Sequence, residues 1–381
     1  MPVATMDRPP KSELTGAKDN WWEPRIWTGI TVGAWLRLLA AHGFRISPSR
    51  IPMASAMTLW ATISSGLSTG QWLLYGRRIR ETEITKPPLF IVGHWRSGTT
   101  LLHEYVVLDP QFTFPTTYDC FGPRSFLFSR RLVEWWLKFF MPRSRPMDNM
   151  AVGLSRPQED EFAFANAGLP SPYLDWAFPN HRRVCPEYRD LRSLSPEDLA
   201  AWKHGFLYFL KTLTAREDKT IVLKSPTHTF RVRTLIEMFP EARFIHITRD
   251  PYVVFPSTCN AWRRMWKVHG LQAPNFDGLE EYVFEDLELM YRVFEEDRAN
   301  VPAGQLMDVK YEDLVADPVG KLAEIYQRLE LGDFGAVRGR LEAFVTQGKD
   351  YKKNRFLLEP EIEQQIRERW GFFCERYGYD T

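Results

Sequence analysis

Three short apolar runs constrain this chain more than any other feature: Leu89-Phe-Ile-Val92, Thr220-Ile-Val-Leu223 and Arg243-Phe-Ile-His-Ile-Thr248. The first runs into a Gly/Ser/Thr loop and then into Leu101, Leu102, Tyr105 and Val106, which fall at helical spacing. A helical pattern over Phe230 to Met238 separates the second from the third. Strands that alternate with helices in this way pair in parallel, because a helical crossover returns the chain to the same end of the sheet. The expected fold class is therefore α/β, a three-layer α/β/α body with a central parallel sheet, and Leu306-Met-Asp-Val309 supplies a further strand.

At 381 residues, the chain has room for two to three domains. No internal repeat interrupts it, and the pattern reads as one nucleotide-binding domain with additions. Residues 1–20 read as a flexible tail without the apolar core of a secretory signal. Residues 21–85 read as a helical N-terminal extension, and 86–381 as the main domain, with a Pro- and aromatic-rich insert at 111–190. Insert lengths of this kind commonly build substrate pockets. The stretch from Ile51 to Gly76 has no charged residue, which admits three readings of 27–80: a bilayer-spanning helix, a helical pair in peripheral contact with a membrane, or helices packed on the main body. Its Gly, Ser, Thr and Gln content weighs against spanning.

Net charge is +1, from 49 basic and 48 acidic residues, so no nucleic-acid partner is indicated. That balance hides segregation. Lys219 to His269 carries nine Lys/Arg against three Asp/Glu, whereas Asp277 to Asp297 carries one against nine and reads as a solvated amphipathic helix. Four dispersed cysteines form no metal-ligand cluster, and a reducing, cytoplasmic setting, with membrane association through 27–80, is the expected location.

Gly93-His-Trp-Arg-Ser-Gly-Thr-Thr100 fits G-x-x-x-x-G-[ST]-[ST] between a strand and a helix, where backbone N–H groups and the helix N-terminus favour a phosphate. A nucleoside triphosphatase would place Lys after the second Gly; here Thr99 stands there and the cation is Arg96. A second motif, Arg249-Asp-Pro-Tyr-Val-Val-Phe-Pro-Ser257, follows the strand RFIHIT. Its Asp-Pro pair reads as a helix start, with Asp250 as N-cap and Pro251 at the first position. Arg249 and Ser257 could then grip a phosphate monoester.

Together these motifs resemble those of the sulfotransferases that use 3′-phosphoadenosine 5′-phosphosulfate (PAPS), in particular the bacterial and tyrosylprotein branches, whose first loop is [KR]-S-G-T-T. The resemblance covers roughly 86–375. It implies a P-loop nucleoside-triphosphatase-like fold and PAPS as co-substrate, without a metal. Arg96, Ser97, Gly98, Thr99 and Thr100 would wrap the 5′-phosphosulfate, and Arg249 and Ser257 the 3′-phosphate. Tyr311 of the Val309-Lys-Tyr-Glu-Asp-Leu314 element would lie near the nucleotide, with Lys352 and Lys353 on a late basic loop. Lys224, at the end of the second strand, is similar to the Lys that contacts the migrating sulfuryl group.

Sulfuryl transfer to a hydroxyl also needs a base. The family's Glu spacing from the loop lands near Thr116 and Thr117, which cannot serve. The RPQEDEF segment offers Glu159, Asp160 and Glu161, with Glu159 or Glu161 the expected base and Asp119 and His228 as reserves; first-turn acids also commonly serve only the helix dipole. The expected activity is sulfuryl transfer from PAPS to an acceptor hydroxyl on a lipid, glycan or other small molecule. Two competing readings are a P-loop kinase for a small metabolite, which would want a Lys after Gly98, and a non-catalytic phosphonucleotide-binding or membrane-associated scaffold.

Overall fold

A computed structural model describes residues 25–130, 154–181, 183–347 and 358–380. The tail expected at 1–20 lies outside them. In chain order the elements are α1 (Val32–Ala41), α2 (Ile51–Glu81), β1 (Leu89–Val92), α3 (Thr99–Val106), β2 (Phe112–Thr113), α4 (Thr117–Phe121), α5 (Glu161–Ala167), α6 (Pro196–Arg216), β3 (Thr220–Lys224), α7 (Val232–Met238), β4 (Arg243–Thr248), α8 (Pro251–His269), α9 (Leu279–Arg298), β5 (Leu306–Lys310), α10 (Tyr311–Ala316), α11 (Pro318–Arg328), α12 (Gly335–Gln347) and α13 (Pro360–Tyr377).

The sheet is parallel throughout, in the order β2-β3-β1-β4-β5. Successive strand residues point to opposite faces. Leu89 and Ile91 join Val222, Ile245 and Ile247 in one core, beneath α3 and the helices after β5. Phe90 and Val92 join Leu223 and Phe244 in the other. Helices on both faces give the three-layer body that alternating strands and helices require. Its central strand, β1, lies between β3 and β4, so connections leave it in opposite directions. Sheets of this kind open a crevice beyond the carboxyl ends of the strands at that point. Gly93, Lys224 and Arg249 stand at or directly after the ends of β1, β3 and β4.

Two helix starts match their sequence signals. Asp250 accepts from the Tyr252 N–H at 2.8 Å with Pro251 at the first position of α8, and Ser195 caps α6 by accepting from the Asp198 N–H. By contrast, β2 is a two-residue edge strand inside the insert, paired with β3, and too short to carry a pattern.

The acidic helix α9 departs from the solvated reading. Its apolar face, including Leu287, Met290 and Phe294, is core, and Asp286 and Asp297 are buried. Arg183 and Arg189 pair with Asp286, Arg192 with Asp297, and Arg369 with Glu281 and Glu288, so arginines from distant segments neutralise the run. The N-terminal extension also packs on the main body. Trp27 and Trp35 are fully buried in the core that contains Phe90 and Leu223. A buried Trp of 150–250 Å² contributes roughly 4–6 kcal/mol at about 25 cal/mol per Å², as an upper bound. No helix among the described residues is long and apolar enough to cross a membrane.

Candidate active site

The loop Gly93–Thr100 closes on itself before α3 begins. Gly93 and Gly98 have φ of 144° and 102°, and Arg96 is left-handed at 67°. A Cβ on Gly98 would lie 2.3 Å from the Tyr311 ring, so only glycine fits there. Ser97 is 1% exposed, and both its N–H and its hydroxyl donate to the His94 carbonyl. It therefore shapes the loop through both groups. Thr99 is buried and Thr100 exposed at the N-terminus of α3, whose first-turn N–H groups have no preceding helical carbonyl.

The two expected phosphate motifs meet. Arg96 Nε donates to Ser257 Oγ at 2.9 Å across 161 residues of sequence. Arg249 Nη1 donates to the Arg96 carbonyl at 3.2 Å, and its guanidinium lies 4.1 Å over the Tyr311 ring. Loop, Arg249, Ser257 and Tyr311 thus form one contiguous wall. Lys352 and Lys353 lie outside the described residues.

On the other side of the loop stands Lys224, 3% exposed. Its Nζ donates to Glu159 Oε1 at 2.6 Å and to Thr100 Oγ1 at 3.4 Å. Tyr173 donates a short hydrogen bond to Glu159 Oε2 and accepts from Trp95 Nε1 at 3.2 Å. Burial, reinforced by the Glu159 charge, pushes the Tyr173 phenol well above its ordinary value, so it stays a neutral donor. Trp95 belongs to the loop itself. Lys224, Glu159, Tyr173 and the loop are consequently one hydrogen-bonded circuit, and Glu159 remains partly open to solvent.

Its neighbours differ. Glu161 is fully buried, with Arg231 and Thr227 donating to Oε2 at 2.7 Å each and Ser171 to Oε1 at 2.6 Å. Both of its oxygens are thus engaged by buried donors, an arrangement that suits an anchor of the insert. Asp160 accepts from Ser225 at 2.9 Å and lies 2.6 Å from His228 Nε2. Burial alone would raise the Asp160 carboxyl, but His228 and Ser225 hold it below its ordinary value. His228 is fully buried in that contact, and Asp119 closes a capping box with Thr116 and pairs with Arg216, so neither reserve faces the loop.

Sequence reasoning missed two groups. Tyr173 lies in the aromatic-rich insert, and nothing in the sequence singles out its hydroxyl. His103 stands one turn into α3, buried, with Nε2 lacking a partner among the described residues. Burial, aided by the Lys224 charge, lowers it to about 3, so it is neutral at physiological pH.

A parallel sheet with a phosphate loop at its switch point, a cation in that loop, cations at two strand ends and a carboxylate against one of them defines a group-transfer enzyme for an anionic nucleotide donor. The chain belongs to the sulfotransferase family, whose model matches residues 87–334, and it is a sulfotransferase. PAPS is the donor that the family implies. A curated relative, the omega-hydroxy-beta-dihydromenaquinone-9 sulfotransferase Stf3 of Mycobacterium tuberculosis, is 44% identical over 362 residues, covering 94% of this chain and 92% of the relative. The M. bovis counterpart aligns equally. Among solved structures, sulfotransferase STF9 from M. avium superposes with a TM-score of 0.69 at 17% identity over 93% of this chain and 94% of that one. STF1 from M. tuberculosis gives 0.63 at 20% identity over 92% and 94%. Both show the same fold.

Proposed function

We propose that this sulfotransferase moves the sulfuryl group of PAPS onto the hydroxyl of an apolar, lipid-linked acceptor, with Glu159 as base and Lys224 as the cation at the migrating group. The 2.6 Å contact between Lys224 Nζ and Glu159 Oε1, with Lys224 also reaching the loop at Thr100, carries this reading. Gly98, Thr99 and Thr100 offer backbone N–H groups to the 5′-phosphosulfate over a loop that Ser97 shapes. Arg96 neutralises its charge, and Arg249 and Ser257 hold the 3′-phosphate with Tyr311 beneath.

Transfer of this type proceeds through a loose transition state in which positioning and fixed cations do most of the stabilising. Glu159 takes the acceptor's hydroxyl proton as the oxygen bonds to sulfur. The sulfur–oxygen bond to the 5′-phosphate breaks, leaving 3′-phosphoadenosine 5′-phosphate. When Lys224 turns to the sulfuryl oxygens it leaves Glu159, and a carboxylate relieved of its cation is the stronger base. Arg96, Lys224 and Arg249 supply the positive charge, so turnover should survive chelation. The lipid class of acceptor is supported by the relative's named lipid substrate and by the aromatic insert around Tyr173 and Trp176. The four described cysteines are all free thiols, which fits the reduced, cytoplasmic location proposed here.

Calorimetry with 3′-phosphoadenosine 5′-phosphate against ATP·Mg²⁺ tests the donor site, and transfer of label from PAPS to hydroxylated isoprenoid quinones tests the acceptor. Preference for ATP·Mg²⁺ would favour the kinase reading and overturn this one.

A further inference from the structure

Apolar surface on this molecule is unevenly distributed. Of eleven large apolar side chains that are exposed among the described residues, nine fall between Leu36 and Leu74. Five of the nine line the outward side of α2. At 100° per residue, Ile51, Leu59, Ile63, Leu73 and Leu74 fall on one broad arc, and each is at least 45% exposed. On the opposite side, Met53, Met57 and Ala61 are buried in the main core and Ile79 is buried near the helix end, while Trp72 is the exposed exception there. A monomeric surface in water rarely keeps such a line of aliphatic side chains along a single helix.

Charge frames this line. From Ile51 to Gly76 the helix has none, whereas residues 25–86 as a whole carry eight Arg/Lys against two Glu, a surplus of six in a chain whose net charge is +1. Arg77, Arg78 and Arg80 are exposed at its C-terminal end, and Arg37 and Arg45 in the segment before it. An apolar band bordered by cations matches an acyl layer bordered by anionic headgroups. A second copy of the same surface is a poorer match, because a two-fold contact would set one basic region against another.

We propose that the outward face of α2 docks on an anionic lipid bilayer, with the helix lying in the plane of the interface. It inserts Leu59, Ile63, Leu73 and Leu74 and leaves Arg77 and Arg80 at headgroup level. Docking of this kind needs no spanning segment and brings the body to a surface where lipid-borne hydroxyls reside. The inference stands on exposure and charge, independently of the acceptor reading.

Flotation of the full-length protein with vesicles of phosphatidylcholine, alone or mixed with phosphatidylglycerol, tests it. The mixed vesicles should bind about tenfold more protein than the neutral ones, and added salt should erode the difference. The double variant Leu73→Glu/Leu74→Glu should lose that binding while keeping the wild-type melting temperature and affinity for 3′-phosphoadenosine 5′-phosphate. Absence of wild-type binding, equal binding by the double variant, or a dimer that the double variant splits without any vesicle binding would each overturn the proposal. In each of those cases nucleotide affinity would still report on the transferase reading separately.

Discussion

The two sides of the phosphate loop are built differently. On the donor side, Arg96, Arg249, Ser257 and Tyr311 come from the loop, the ends of β4 and β5, and α8, and they meet through contacts that the strand order alone brings about. On the acceptor side, Lys224 also stands at a strand end, but Glu159, Tyr173 and their supports come from the insert. Strand ends are held by the sheet, whereas the insert has to be held by its own buried polar network. The contrast teaches that the proposed donor site is a property of the fold, and the proposed base a property of the packing of one irregular segment.

Breaking the insert's anchor should have the largest effect. Glu161→Ala leaves the Arg231 guanidinium buried and unpaired, and should cost about 3–5 kcal/mol of stability. Chemical denaturation would read this directly, and a variant as stable as the parent would show that the insert is held by other means. Next comes Lys224→Met, which removes the cation from the proposed transfer site. Turnover should fall by about 10²–10³ with little change in affinity for 3′-phosphoadenosine 5′-phosphate. On the donor side the opposite split is expected: Arg249→Ala should weaken calorimetric binding of that nucleotide by about 2 kcal/mol, roughly thirty-fold, and leave the melting temperature almost unchanged. Tyr173→Phe removes one donor from Glu159 and should cost roughly tenfold or less in turnover, read by steady-state kinetics.

The last prediction concerns pH and is confined to acid conditions. The folded protein holds His103 at about 3 against 6.5 for the free side chain, so between those values the unfolded chain binds the additional proton. Stability from this group is complete above pH 6.5 and declines as the pH falls toward 3. His103→Gln should flatten that slope in denaturation curves taken across the range.

Much of the fold was legible because it rests on periodicity. The runs at Leu89–Val92 and Arg243–Thr248 are strands with the boundaries that the sequence suggests, and Thr220–Leu223 extends by one residue to Lys224. Asp250 and Pro251 start α8 as their side-chain chemistry demands. The meeting of Arg96, Arg249, Ser257 and Tyr311 was legible for the same reason, since their motifs follow strands that the periodicity places side by side. Glu159 and Glu161 could not be separated from sequence. They stand two residues apart in one acidic run, and their difference is made by Arg231, Thr227 and Ser171 on one side and by Lys224 and Tyr173 on the other. Ser171 and Tyr173 lie 10 and 14 residues on, beyond any helical spacing, and Lys224, Thr227 and Arg231 lie 65 to 70 residues away. The acidic run of α9 was likewise ambiguous, because Arg183, Arg192 and Arg369, which pair with it, come from 80 or more residues away.

The central claim is that Glu159, held between Lys224 and Tyr173, takes the acceptor's proton during sulfuryl transfer. Single-turnover transfer of radiolabelled sulfate from PAPS to a hydroxylated isoprenoid lipid, compared between the parent enzyme and Glu159→Gln, tests it most directly. The account predicts transfer by the parent and a loss of about 10²–10⁴ in rate for the variant, with unchanged binding of 3′-phosphoadenosine 5′-phosphate. Full turnover by Glu159→Gln would contradict it.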